Sequence, residues 1–476
     1  MTQPLQRRLG RTGRMVTTLG LGGQASLQWT AQGLDPVEII KKAHALGINY
    51  MDTSNVYGPS QKYYGQAFRQ LGLTPGAGNY NAQARANLFL AGKTHIRTAR
   101  CPKGARFRSN WSDGMSDGFG AVTAVDDVRR ALSLMFGDGL GAYPEGAYLD
   151  SIQMHNINTM EEIDMLFEGF DDPTADRPWM GALAAMLDLR EGTNRTGCNP
   201  KKEKLVRHIG LSGHWNSAAL MYAIQRDERR ILDTLLVAIN ASDGQYMAHR
   251  HNAIAAAAAA GMGIVGMKVF ADAAYYHKAP VFSNSPKDVY YNVGSSDLPS
   301  DELIRYALSI DGVSTLIIGI GHIDDDPAKC QLSANLAAAQ LAAPLSEEQM
   351  AAVEGRVNAA GKHSANAYFQ RPAMGLTPPR NVGVESDSSM PVFGRVALRI
   401  SWDCAYAGAS AIDNYVVLRD DQEVGRVAHR PQISRARFYF DDVFKAGTPA
   451  GSYSYVVRTV DKAGNSADSI CLKAVP

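Results

Sequence analysis

Up to about position 360 the chain alternates two hydrophobic rhythms. Short runs rich in apolar and β-branched residues, at 17–21, 48–52, 87–92, 149–154, 208–212, 235–240, 264–269 and 315–319, read as strands. Each is followed by a stretch whose apolar residues recur three or four positions apart, the period of a helix with one buried face. Start signals mark several of these helices: Asp35-Pro36 with Glu38, Pro59-Ser60, Thr159 with Glu162, Ser300 before Asp301 and Glu302, and Asp326-Pro327. The alanine run 255–260 reads as a tightly packed helix ended by Gly261. A strand followed by a helix, eight times over, predicts an α/β fold in which a parallel sheet closes into a (β/α)8 TIM barrel.

Beyond a proline-rich joint, Arg371-Pro372 to Pro378-Pro379, the period changes to strict alternation, as at Leu398, Ile400 and Trp402, at Tyr415 and Val417, and at Tyr453, Tyr455 and Val457. Turn signals at Gly408, Asp420-Asp421, Gly451 and Gly464-Asn465 recur at the spacing of an all-β, immunoglobulin-like sandwich. A boundary near 377 follows, with a barrel over 1–376 and a sandwich over 377–476. Ser401-Trp402, Asp413-Asn-Tyr415 and the run from Tyr453 to Gly464 resemble a fibronectin type III module. Three connections, 94–123, 171–204 and 271–299, exceed the usual handful of residues, and the first and third are expected to overhang the barrel mouth.

Composition narrows the function classes. Lys and Arg number 48 against 47 Asp and Glu, a formal charge of +1, which gives no footprint for nucleic acid or an anionic membrane. The N-terminus has no apolar stretch of secretory type, and the longest weakly polar run, 253–266, falls short of the ~20 residues of a membrane span. The five cysteines have no metal-ligand spacing, so no metal site is expected and a reducing, cytoplasmic setting fits. Two of them, Cys404 and Cys471, read as small buried thiols rather than a disulfide.

The chemistry sits at strand ends. Asn49-Tyr50-Met51-Asp52-Thr53-Ser54-Asn55-Val56-Tyr57 delivers a carboxylate at the end of the second strand and a phenol five residues later; Lys93 ends the third strand and His155 the fourth. Taken singly, these have ordinary readings: a strand-end cap, a loop aromatic, a solvated lysine, a core histidine. Neighbouring strands lie about 4.8 Å apart, so together the four side chains emerge on one rim. Hydride addition to a carbonyl leaves an alkoxide, and a phenol of ordinary pKa ~10 is a suitable acid beside an ammonium that stabilises its phenolate. Lys93 supplies that charge, Asp52 holds Lys93, and His155 orients the substrate oxygen or relays a proton.

This pattern resembles the aldo-keto reductase family, which uses an Asp, Tyr, Lys, His tetrad in this order at these strand ends. Arg8-Leu-Gly-Arg-Thr-Gly13, Thr18-Leu-Gly-Leu-Gly22, Ile209-Gly-Leu-Ser212 and Gly312-Val-Ser-Thr-Leu-Ile-Ile-Gly319 extend the likeness over about 7–358. The resemblance implies an NAD(P)-dependent carbonyl reductase or alcohol dehydrogenase. It implies Asp52, Tyr57, Lys93 and His155 as catalytic residues, and Ser212, Met267, Lys268 and Asn335 as cofactor contacts. Two departures touch the nicotinamide: the Asn usual beside Ser212 is replaced by Gly213 and His214, and the usual Gln of the next strand is Leu236. Gly20-Leu-Gly22-Gly-Gln-Ala25 fits a loose dinucleotide fingerprint, but no periodic helix follows it. After strand eight, Asp324-Asp325-Asp326 with only Lys329 nearby would repel a 2′-phosphate, which favours NAD(H), with NADP(H) the alternative.

The loop 97–111 mixes Arg and Lys with Phe107 and Trp111, which suits stacking on a polar ring such as a sugar derivative better than a small aldehyde. A small-molecule carbonyl or alcohol is therefore the expected partner, with protein contact or oligomerisation assigned to the C-terminal module. Two alternatives stand beside this: a redox-neutral glycoside-processing enzyme using bound NAD, and a non-catalytic cofactor-binding regulatory subunit.

Overall fold

The computed structural model of the chain describes residues 3–30, 32–102, 123–319, 321–372, 374–386, 397–444 and 451–475. Phe107 and Trp111, on which the expected ring stacking rests, lie outside the described residues.

Eight strands close a barrel in sequence order: β1 (Leu19–Leu21), β2 (Tyr50–Asp52), β3 (Phe89–Thr94), β4 (Leu149–Met154), β5 (Val206–Gly213), β6 (Leu232–Ala238), β7 (Gly263–Met267) and β8 (Val313–Ile318). Every neighbouring pair is parallel, including β8 with β1. Parallel barrel strands are covered by side chains inside and helices outside, and seven of the eight are buried along their whole length. The N-terminal hairpin, Gln6–Arg8 paired with Met15–Thr17, stoppers the strands' N-terminal end. There Leu9 is fully buried, and a Cβ on Gly10 would meet the Gly263 nitrogen at 2.2 Å, so only glycine fits. The C-terminal rim is left as the mouth.

Helix entry follows the expected chemistry at most positions. The Asp35 carboxylate accepts from the Val37 N–H at 2.8 Å, and Thr159 with Glu162 forms a reciprocal capping box. Asp326-Pro327 differs. Residues 326–330 form a turn closed by Lys329 N–H on the Asp326 carbonyl, and the helix Gln331–Ala338 starts after Cys330. β6 starts three residues earlier than expected because the Asp227 carboxylate accepts from the Ile231 and Leu232 N–H groups and pins the strand's entry. The alanine run forms the helix Ala255–Ala259, wound onto a π-helical turn, Arg250–Ile254, and stopped at Gly261 with φ +73°.

The C-terminal part is all antiparallel. One sheet holds Arg380–Ser386, Ala397–Asp403 and Phe438–Val443; the other holds Gln422–Ala428, Ile412–Arg419 and Tyr453–Asp461, with Ser466–Asp468 and Leu472–Ala474 both pairing on Tyr453–Asp461. The fully buried Trp402 of the first sheet meets Tyr415 of the second at 5.5 Å between ring centroids, so the two sheets share a core. Polar groups join this part to the barrel: Asn252 donates to the Ala407 carbonyl at 3.0 Å and accepts from its N–H at 2.9 Å, and Gln225 donates to the Gln432 carbonyl at 3.2 Å. Cys404 is buried as expected, whereas Cys471 is exposed, and none of the five cysteines is in a disulfide. Among the described residues no helix is long and apolar enough to cross a membrane, and no group of three or more His, Cys, Asp or Glu is placed to hold a metal ion.

Candidate active site

Strand register assembles the site. Asp52, the last residue of β2, pairs with Ala91 of β3, so Lys93, two residues further along, projects from the same side just above it. The Lys93 ammonium donates to both Asp52 oxygens, at 2.6 and 2.5 Å, and to the Thr53 carbonyl at 3.2 Å. Both side chains are almost wholly buried. Burial pulls Lys93 below the ordinary lysine range against the pull of Asp52, and pushes Asp52 above the usual carboxylate range against Lys93. A contact through both oxygens offsets that cost only while each group has its partner.

The loop after β2 brings Tyr57 over this pair, with the Lys93 nitrogen 4.8 Å from the centroid of its ring. The Tyr57 hydroxyl lies 3.5 Å from Nε2 of His155, which follows β4, and the two rings meet edge to face. His155 Nδ1 lies 3.1 Å from the Ser54 hydroxyl, and the His95 ring is 4.0 Å away between centroids. All four tetrad residues therefore converge at one rim. Burial, with Asp52 and Asp272 adding to it, raises the Tyr57 phenol well above the ordinary tyrosine value. The phenol is thus not the group of ordinary pKa that the sequence suggests, because burial dominates its surroundings. Burial, with His95 and Lys93 adding, drives His155 well below the ordinary histidine value, so its ring is neutral near pH 7.

Tyr57 stands between two cavities. The first is walled by Gly22, Gln24, Met267, Lys268, Asp272 and Gly319 among others. The second shares Gln24 and Tyr57 and adds His155, Asn156, His214, Trp215, Phe282 and Arg371. Of the expected cofactor contacts, Met267 and Lys268 line the first cavity. Ser212 lines neither: it is fully buried, and its hydroxyl accepts from the Asn156 N–H at 3.0 Å. Asn335 also lines neither; it is buried in the helix Gln331–Ala338 and accepts from Gln331 Nε2 at 2.8 Å.

Several groups at the mouth were not expected. The Asp272 carboxylate accepts from Lys268 at 3.2 Å and from Lys278 at 2.8 Å. Burial opposes its charge, but the two ammonium groups win and hold it below the usual carboxylate range. Ala271, Asp272 and Ala273 are all left-handed, at φ +48°, +56° and +68°, a strained run at the cavity wall. Asn156, also left-handed at φ +56°, accepts from His214 Nδ1 at 2.9 Å. Asn156 follows His155 directly in the chain, a signal that could have marked it; Asp272 and Arg371 carry none.

Residues 18–357, from just before β1 into the helix Glu347–Ala359, match the aldo/keto reductase family model. The chain belongs to the aldo/keto reductase family. Similar solved structures include a Pseudomonas aeruginosa protein assigned to the aldo-keto reductases, with 22% identity over 71% of this chain and 95% of that one and a TM-score of 0.39. Another is a Klebsiella pneumoniae aldo/keto reductase in complex with NADP and acetate, with 14% identity over 74% and 95% and a TM-score of 0.41. The central fibronectin-III array of a RIM-binding protein is similar over 22% of this chain and 37% of its own, with 17% identity and a TM-score of 0.16. No curated protein matches.

Aldo/keto reductase membership carries oxidoreductase chemistry of the carbonyl/alcohol type and a nicotinamide cofactor. The first cavity suits part of such a cofactor. Gly22 and Gly319 leave bare backbone along its wall, where a Cβ on Gly22 would sit 3.0 Å from the Gly319 nitrogen and one on Gly319 would sit 2.8 Å from the Gln24 carbonyl. Lys268 lines this wall, and its ammonium shares the Asp272 carboxylate with that of Lys278.

Proposed function

We propose that the protein interconverts a carbonyl and an alcohol at this mouth, with Tyr57 as proton donor, Lys93 and Asp52 as its electrostatic support and His155 as the group that orients the substrate oxygen. One observation carries this: Tyr57, its hydroxyl 3.5 Å from His155 and its ring over the Lys93 ammonium, lines both cavities. Nicotinamide supplies or accepts the hydride when bound, with Met267, Lys268 and the Gly22 and Gly319 backbone as the groups that would hold the cofactor. A phenol held protonated by burial is ready to give its proton to the alkoxide that forms as a carbonyl is reduced. The Lys93 ammonium, 4.8 Å from the centroid of the Tyr57 ring, then favours the phenolate left behind. Neutral His155 serves by hydrogen bonding rather than by charge.

The second cavity favours a polar cyclic substrate such as a sugar derivative. Asn156, Asn158, Thr159 and His214 offer hydrogen bonds for hydroxyls, and Trp215 and Phe282 offer ring faces. We also assign residues 1–376 and 377–476 to separate units, the second of fibronectin type III kind and suited to protein contact, and the disulfide-free cysteines to a reducing cytoplasm.

The acidic turn after β8 supports NAD(H) over NADP(H). Asp324, Asp325 and Asp326 crowd it, and the nearby cations are taken: Lys329 lies 3.6 Å from Asp326 and Lys42 3.9 Å from Asp325. NADH is expected to bind at least about 10-fold more tightly than NADPH when each is titrated against protein fluorescence. Tighter NADPH binding removes the preference. Net oxidation of NADH with a panel of aldehydes and keto sugars tests the reaction itself. Redox-neutral product formation, or cofactor bound without turnover, would count against it.

A further inference from the structure

The helix Ala124–Phe136 carries a buried acid that the chemistry above does not use. Asp127, in its first turn, is 1% exposed. Its Oδ2 accepts from Asn55 Nδ2 at 2.8 Å and from the Thr94 hydroxyl at 2.6 Å. Asn55 lies two residues before Tyr57 on the loop after β2, and Thr94 directly follows Lys93 on β3. One turn further along the same helix, Arg130 donates to the Asn55 carbonyl at 3.2 Å. A single carboxylate oxygen thus ties together the two segments that present the phenol and the ammonium. The other oxygen, Oδ1, is buried with no hydrogen-bond partner.

We propose that Asp127 is a positioning residue for the reductase reaction: its ionised carboxylate clamps the Tyr57 loop to the end of β3 and sets the phenol against Lys93 and His155. This rests on the catalytic reading of Tyr57 and Lys93. Charge-assisted hydrogen bonds are roughly twice as strong as neutral ones, so protonating Asp127 keeps the contacts but weakens the clamp. Burial raises Asp127 to about 6, against the pull of Thr94, Arg130 and Asn55. The groups facing it are Asn55 from the loop, Thr94 from the end of β3, and Asp126 and Arg130 from its own helix. His95, like His155, is held well below the ordinary histidine value, so neither titrates near pH 6. Since the folded-state value lies above that of a free aspartate, the clamp is at full strength above about pH 6 and loosens as pH falls through it.

Asp127→Asn mimics the neutral acid with the same shape. Using 4-nitrobenzaldehyde and NADH as probes, kcat of the native enzyme should fall as pH drops through about 6. Asp127→Asn should be about 10-fold slower at pH 8, with little change in KM and unchanged NADH binding by fluorescence, and should lack that limb. The two profiles should converge near pH 5, and Asp127→Glu should restore part of the limb. If Asp127→Asn keeps the native kcat and pH profile, or keeps the limb while only its melting temperature drops, the clamp is overturned. A Tyr57→Phe control separates the two failures. Full activity in Tyr57→Phe sinks the catalytic reading, whereas an inactive Tyr57→Phe beside a native-like Asp127→Asn sinks only the present proposal.

Discussion

Replacing Tyr57 by phenylalanine is expected to lower kcat for aldehyde reduction by about 100- to 10,000-fold while leaving the affinity for NADH within about twofold. The substitution removes one oxygen and keeps the ring, so the Lys93 contact over the ring face survives and the cavity walls barely move. What disappears is the only phenolic proton beside His155 among the described residues. His155 cannot take over near neutrality, because its ring is already deprotonated. Stopped-flow loss of NADH absorbance measures the chemical step, and fluorescence titration measures binding. A fall in binding as large as the fall in kcat would mean that Tyr57 holds the cofactor rather than the proton.

The second large effect concerns stability. Lys93→Met should cost about 3–5 kcal/mol, because it strands the Asp52 charge inside the barrel with the Gly23 N–H as its remaining hydrogen-bond partner. Asp52 then protonates more readily, since the ammonium that opposes burial is gone. The double replacement Asp52→Leu with Lys93→Met removes both charges and should recover much of the loss, while staying inactive. Chemical denaturation of the three proteins at pH 7 checks this. A double variant no more stable than Lys93→Met would show that the pair matters for shape rather than for charge.

The barrel was legible because parallel strands buried on both faces leave apolar runs that no solvated face interrupts, as in Gly263–Met267 and Val313–Ile318. The tetrad was legible for a related reason: an ionisable residue at the C-terminal end of such a run has only the mouth to face. Side-chain partners were harder. Ser212 stands at a strand end as expected, yet its hydroxyl is taken by the Asn156 N–H, a contact set by the left-handed turn after His155. Asn335 points into helix packing rather than to the mouth, which helix periodicity alone does not reveal. Asp127 looks like an ordinary acidic residue in a helix's first turn; its contacts come from segments 72 and 33 residues away and exist only once the barrel closes. Asp326-Pro327 has the chemistry of a helix start but is spent on a turn instead.

The most direct test of the central claim is to follow deuterium from NADH labelled at both C4 positions into the alcohol made from 4-nitrobenzaldehyde, read by mass spectrometry. The account predicts one deuterium on the former carbonyl carbon of the native enzyme's product, and transfer lowered in step with kcat in Tyr57→Phe. Product without label, or equal transfer rates in the native and Tyr57→Phe proteins, would contradict it.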